Sequence, residues 1–321
     1  MGCPFFMHKV DIAAGTWLLP PMAQNPTAAN WASIGLLGLV WGGTFMVVSL
    51  ALRDYGPLTV ACARTTLGAA ALTLLMRVMG RRFPTGDLQL WSYLAAIGLL
   101  STAMPFFLLS WGQQYVPSAF AGISMAALPL FVLPLAHVFA DEPLTLRRSI
   151  GVIVGFVGAA VLIGPGVVSA TGDRAGLGQL ACVGAALSYA VAAILTRRCP
   201  PIDPIVLSTV TLVVGSVVLL PAMLLMEGVP VWAGQTTGFA ILFLGLFPTA
   251  LAALLRVHVI RSAGPVFMTL VNYQVPLWSM AFGALILSEA LPMRFFIALA
   301  LIMTGLAVSQ WGSLMRLFGR G

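Results

Sequence analysis

A fixed pattern of residue types occurs twice in this chain. A shift of 147 positions carries Pro129 onto Pro276, Glu142 onto Glu289, Leu144 onto Leu291, Arg147 onto Arg294 and Gly158 onto Gly305. In each copy a proline interrupts an apolar run, an acidic turn follows, and a second apolar run closes the unit. Pro57 likewise falls 147 before Pro204, and Trp41-Gly42 falls 148 before Tyr189-Ala190. The chain therefore reads as a duplicated object from about residue 31 onward, and any fold must accommodate two related halves.

What the halves are made of decides the solvent. The chain has 321 residues, of which 60% are hydrophobic and 8% charged. Soluble domains carry about 25% charged residues, so no aqueous core accommodates this composition and the class is an all-α polytopic membrane protein. The net charge of +7 does not indicate nucleic acid, because the arginines sit in pairs between apolar runs, as topology signals do. Cys3, Cys62, Cys182 and Cys199 have no metal-type or paired spacing and read as free thiols or packing residues. No cofactor or metal motif is present, which leaves the bilayer and a small-molecule substrate as the expected partners.

A spanning helix needs about 20 mostly apolar residues. Ten such runs are expected, near 31–52, 58–78, 89–111, 117–138, 148–167, 177–196, 204–226, 237–259, 263–288 and 293–314. Residues 1–28 lack a signal-peptide pattern and are expected to form a disordered tail or an upstream mis-start; residues 29–168 and 176–315 form the two units. With the N-terminus in the cytoplasm, twelve basic residues fall inside and three outside, which predicts cytoplasmic termini. Five spans per unit is an odd number. The second unit then enters the membrane inverted relative to the first, an architecture of secondary transporters.

The motifs W-G-G-T-F (41–45), A-R-T-T-L (63–67), A-L-P-L-F…D-E-P-L-T (127–145) and V-P-L-W…S-E-A-L (275–291) resemble the drug/metabolite transporter superfamily, in particular its EamA-type ten-helix members. The resemblance covers nearly the whole chain. It implies ten transmembrane helices in two inverted five-helix repeats, an inner-membrane location, and transport rather than catalysis. It leaves the substrate open among amino acids, sugars, nucleotide sugars and other metabolites. Two positions depart from internal symmetry: Thr211 stands where the first copy has Arg64, and His258 where it has Trp111. The superfamily's small multidrug branch has a Glu in its first helix, whereas residues 31–52 contain no acid, which argues against proton-coupled export of cationic drugs.

Pro129 and Pro276 each remove a backbone hydrogen bond and read as hinges at mid-membrane; a static packing kink is the alternative. Asn272, Tyr273 and Gln274 precede Pro276, where the first copy has Met125, Ala126 and Ala127. Three polar-capable residues at that depth are substrate contacts or interhelical hydrogen-bonding groups. Arg64, about two turns into the second span, either binds an acidic group of the substrate or bridges helix-end carbonyls. Trp41, Tyr189 and Ser124 complete the expected wall, built from spans one, three, four, six, eight and nine. Glu142 and Glu289 read as turn-capping groups with gating, through Arg147, Arg148 or Arg294, as the alternative. Gly151, Gly155 and Gly158 make a small-residue face for close helix packing.

These readings converge on a secondary transporter that exports a small, amino-acid-like metabolite by alternating access, as a monomer or weak dimer. An importer or facilitator of the same fold is the nearest alternative. Gly122-Ile-Ser124 with His258 raises an intramembrane Ser/His hydrolase as a more distant one.

Overall fold

A computed structural model describes residues 26–139, 143–164 and 174–317. All regular structure among these residues is helical. Eight helices are long and apolar enough to cross a membrane: α1 Ala28–Ala51, α2 Pro57–Val78, α3 Leu88–Gly112, α4 Ser118–Phe139, α5 Leu146–Ile163, α6 Arg174–Arg198, α7 Pro204–Met226 and α8 Gln235–Ala263. Two shorter apolar helices of 17 residues each follow, α9 Val271–Leu287 and α10 Met293–Ser309, then a short α11 Trp311–Leu317. The proposed tail up to residue 25, and the acidic turn with Asp141 and Glu142, lie outside the described residues.

Helix starts follow local chemistry. Pro57 and Pro204 occupy the first position of α2 and α7, where a missing N–H costs nothing. Asp87, Thr145 and Asp203 cap α3, α5 and α7 through side-chain oxygens.

The helices pack in pairs that respect the duplication. α5 lies along α10, α2 along α7, and α4 along α9, each helix against its own counterpart. The remaining large contacts exchange partners: α1 packs on α8 and α9, while α6 packs on α3 and α4. Glycines set the closest approach at the α5–α10 seam. A Cβ at Gly151 would lie 2.5 Å from the Gly305 carbonyl oxygen, and one at Gly158 would lie 2.9 Å from the Ile302 nitrogen. The small-residue face expected on α5 is thus the contact surface, with dispersion between close backbones as the attraction.

Two kinds of helix distortion also repeat. α3 widens into π-helix at Leu99–Ala103 and α8 does so at Leu246–Leu251, matching segments of the two halves. The prolines behave less evenly. α4 breaks at Ala127, two residues before Pro129, and Leu130 and Phe131 donate to the Ala127 carbonyl on restarting. At Pro276 the helix does not break: α9 runs through it, and the chain turns at Thr269–Leu270. Packing holds this helix in register, since Val275 and Ser279 press against Gly42 of α1. The expected run 263–288 is therefore divided into a four-residue turn, Pro265–Met268, and α9.

Candidate functional site

A cavity of about 550 Å³ lies where the two halves meet, lined by α1 to α4 and α6 to α9. Its walls are matched positions. Arg64 faces it from α2 and Thr211 from α7; Met125 from α4 and Asn272 from α9; Leu109 from α3 and Arg256 from α8. Both members of each pair reach the cavity because the packing exchanges one half for the other. The chemistry within each pair differs because the sequences have diverged. The wall also includes α2 and α7, beyond the six spans the sequence suggested.

Arg64 stands seven residues into α2, about 10 Å from its start. It is 8% exposed. Its Nε donates to Thr249 Oγ1 at 3.2 Å, and that hydroxyl donates onward to the Leu244 carbonyl at 2.8 Å. Its guanidinium carbon lies 3.8 Å from the Phe106 ring centroid. Such a contact is worth about 2 kcal/mol when desolvated. Among the described residues no carboxylate pairs with Arg64.

Trp41 is fixed by the widened helix. π-Helical turns leave carbonyls free of the regular ladder. Trp41 Nε1 donates at 3.2 Å to the carbonyl of Pro248, in the π segment of α8. Across the pseudo-symmetric seam, Ser188 Oγ donates at 2.8 Å to Leu100, in the π segment of α3. Tyr189, next to Ser188, lines the cavity with Trp41. These crossed hydrogen bonds tie the first helix of each half to the third helix of the other.

Of the three polar residues before Pro276, only Asn272 lines the cavity. Successive helical residues point about 100° apart, so three in a row cannot share one face. Gln274 packs against Gly38 of α1, where a Cβ would lie 2.7 Å from Gln274 Oε1. Tyr273 is half-buried, with its hydroxyl unpartnered among the described residues. Ser124 is also off the cavity. It is buried, and its hydroxyl donates to the Phe120 carbonyl of its own helix at 2.9 Å. His258 is exposed in a separate hollow formed by α7 and α8, so no Ser/His pair assembles. Among the described residues no group of three or more His, Cys, Asp or Glu side chains is placed to hold a metal.

Arg256 escaped the sequence reading. The span was expected to end near residue 259, which put this arginine with the topology signals. α8 continues to Ala263 and carries Arg256 inside the helix, on the cavity side. Gln113, Ser208 and Thr196 also reach the wall. A signal existed for Arg256 alone: it is embedded in A-A-L-L-R-V-H-V-I rather than in a Gly/Pro turn.

The acidic turns have jobs between halves. Glu289 Oε1 and Oε2 accept from the Ser118 and Ala119 backbone N–H groups at 2.7 and 3.1 Å, at the start of α4. It thus caps a helix of the other half rather than α10, which follows it. Its pairing with Arg294 is not among the ion pairs of the described residues, and Arg294 lies beside Gly164. Glu227, directly after α7, does the same for α2: it accepts from the Leu58 and Thr59 backbone N–H groups at 2.9 and 2.7 Å. Both carboxylates meet the positive end of a helix dipole. Elsewhere Asp203 caps α7 and pairs with Arg81 at 3.5 Å and Arg261 at 3.9 Å.

Known proteins resemble this chain in sequence and fold. A solved crystal structure aligns over 91% of this chain and 100% of its own, with a TM-score of 0.63 at 19% identity, which establishes the likeness of fold. The uncharacterized transporter YoaV of Bacillus subtilis is 25% identical over 277 residues, covering 85% of this chain and 94% of its own. The uncharacterized inner membrane transporter YedA of Escherichia coli K12 is 23% identical over 278 residues, covering 86% and 89%. A probable terminal-alkyne amino-acid exporter of Streptantibioticus cattleyicolor is 31% identical over 135 residues, covering 42% and 44%. The profile of the EamA-like transporter family matches residues 30–164 and again 176–310. With both halves matched, and with the cavity at their junction, this multi-pass membrane protein belongs to the EamA-like transporter family of the drug/metabolite transporter superfamily.

Proposed function

We propose that this protein exports a small organic metabolite through the central cavity by alternating access. The observation that carries the proposal is the cavity wall, in which positions 147 residues apart face each other across the junction of the halves. A wall of matched elements supports two equivalent closures, one at each end. α9 and α10 act as spans beside the eight longer helices, giving ten. Five spans in each unit (29–168 and 176–315) invert the second relative to the first. Both termini then face the cytoplasm, a reading that the arginine distribution supports. The inner membrane is the location that the name of the YedA relative supports.

In this reading the end of the bundle held by Glu227 and Glu289 is the outer one. Each carboxylate there joins the second half to a helix start of the first. Opening outward requires that these caps release, while the Asp203 cluster with Arg81 and Arg261 stays closed at the inner end. The break at Ala127 and the turn at Thr269–Leu270 supply hinges. Trp41, Arg64, Tyr189 and Asn272 contact the substrate. Gln274, Tyr273 and Ser124 support the helices that carry them. The protein works as a monomer or weak dimer. An amino-acid-like substrate is favoured by the exporter named among the relatives.

The test is transport by the full-length protein in proteoliposomes, with counterflow of labelled small metabolites. Saturable exchange that is lost on cross-linking the α4 start to the Glu289 turn is expected. Exchange that survives the cross-link, or none with any metabolite class, rejects alternating access through this cavity.

A further inference from the structure

We infer that the cavity selects small organic dianions, with one acidic group held by Arg64 and a second by Arg256. The inference rests on the reading of the cavity as the substrate site and names the class that it takes. Arg64 and Arg256 face the same cavity from different halves, and among the described residues no Asp or Glu lines it. Neither arginine has a carboxylate partner among those residues. The Arg64 hydrogen bond to Thr249 uses Nε, which leaves the two terminal nitrogens for an occupant. A guanidinium fork matches the planar oxygens of a carboxylate or the oxygens of a phosphate. Arg64 is buried whereas Arg256, which lines the cavity, is exposed, so the cost of an unpaired cation at membrane depth falls mainly on Arg64, and an acidic occupant removes it.

The spacing indicates where the acidic groups sit. Thr249 anchors Arg64 on α8, and Arg256 follows seven residues later on the same helix, about two turns or roughly 10 Å along its axis. The substrate therefore carries its acids toward opposite ends, with Trp41 and Tyr189 beside its body. Among the described residues no carboxylate lines the cavity to meet a free ammonium group. Among amino-acid-like compounds this favours acidic molecules whose amine is acylated over ordinary zwitterions.

The test compares four compounds of similar size and graded charge: N-acetylglutamate, N-acetylglutamine, glutamine and putrescine. Binding to the full-length protein is read by thermal stabilisation and calorimetry, and movement by counterflow in proteoliposomes. N-acetylglutamate is expected to bind at least about tenfold more tightly than N-acetylglutamine. Glutamine and putrescine are expected to bind more weakly still. Arg256→Gln should reduce N-acetylglutamate to the level of N-acetylglutamine and leave the latter unchanged. Arg64→Gln should weaken both. Arg77→Gln, remote from the cavity, serves as the control and should alter neither. Glutamine or putrescine binding as well as N-acetylglutamate, or no binding of N-acetylglutamate, overturns the inference. If glutamine exchanges across the bilayer while N-acetylglutamate does not bind, the transport reading stands and the charge class fails. If N-acetylglutamate binds and no compound moves, the charge class stands and the transport reading fails.

Discussion

The two halves of this protein share a scaffold and divide the chemistry. α4 and α9 face each other across the cavity at matched positions, yet one offers Met125 and the other Asn272. α2 offers Arg64 where α7 offers Thr211, and α3 offers Leu109 where α8 offers Arg256. Several features that hold the bundle together are kept in both copies: Gly158 and Gly305 at the α5–α10 seam, the π segments, and the prolines at the starts of α2 and α7. Features that face the cavity differ in almost every pair. A pseudo-symmetric pair of closures needs similar packing energies in both halves, whereas recognition of an asymmetric molecule needs unlike groups on opposite walls. In the proposed mechanism the same duplication serves both requirements, because packing positions and cavity positions are different residues.

This contrast is open to direct attack, starting with the shared scaffold. Gly151→Leu places a side chain against the Gly305 carbonyl, and overpacking of about 1–3 kcal/mol or more is expected. The variant should be recovered in low yield and with a depressed melting temperature. Gly35→Leu, with nothing within 4 Å of the added Cβ, should behave as the parent in both measurements.

Arg64→Gln tests the divergent wall. Losing a charge-assisted hydrogen bond worth about 1.5–3 kcal/mol predicts a fall in counterflow of roughly ten- to a hundredfold. Thr211→Val, at the matched position, should change counterflow by no more than about threefold, because Thr211 Oγ1 donates to Ser208 within its own helix. Equal losses would show that the halves contribute alike and that their asymmetry is incidental.

A swap sharpens the comparison further. Asn272→Met makes α9 resemble α4, and loss of one neutral hydrogen bond of about 1 kcal/mol predicts roughly fivefold weaker substrate affinity. Met125→Asn should affect affinity less than this. The smallest effect is expected at the carboxylate clamps. Glu289→Gln keeps an acceptor for the Ser118 N–H, turns an NH2 toward the Ala119 N–H, and removes the charge facing the α4 dipole, the dipole part of the loss being about 0.3–1 kcal/mol. It should lower the melting temperature slightly and raise labelling of cysteines introduced near the Glu289 end of the cavity. Unchanged labelling would limit Glu289 to a structural cap.

Three residues that the sequence singles out line the cavity, and each was costly where it stood. Arg64 in an apolar run, Trp41 away from the interfacial belt, and Asn272 beside a repeated proline all needed a reason to be at membrane depth, and all reach the cavity. Gln274, Tyr273 and Ser124 looked equally anomalous, but hydrogen bonds or packing within the bundle account for Gln274 and Ser124. Arg256 looked ordinary because arginines near span ends are common, and a few residues of extra helix changed its setting.

The amino-acid sequence alone determined the solvent, the duplication and the approximate spans, because these depend on composition and on periodic spacing summed over many residues. It also determined which helices start with proline or a side-chain cap. Only the tertiary structure decided which face of each helix meets the cavity. A helix that is apolar on all sides carries no amphipathic stripe to mark its inner face. The facing is set instead by where glycines let backbones approach and where the widened α3 and α8 turn their carbonyls. The same holds for Glu227 and Glu289: their local sequence marks a turn, and only the packing of one half on the other puts a helix start within reach of each carboxylate.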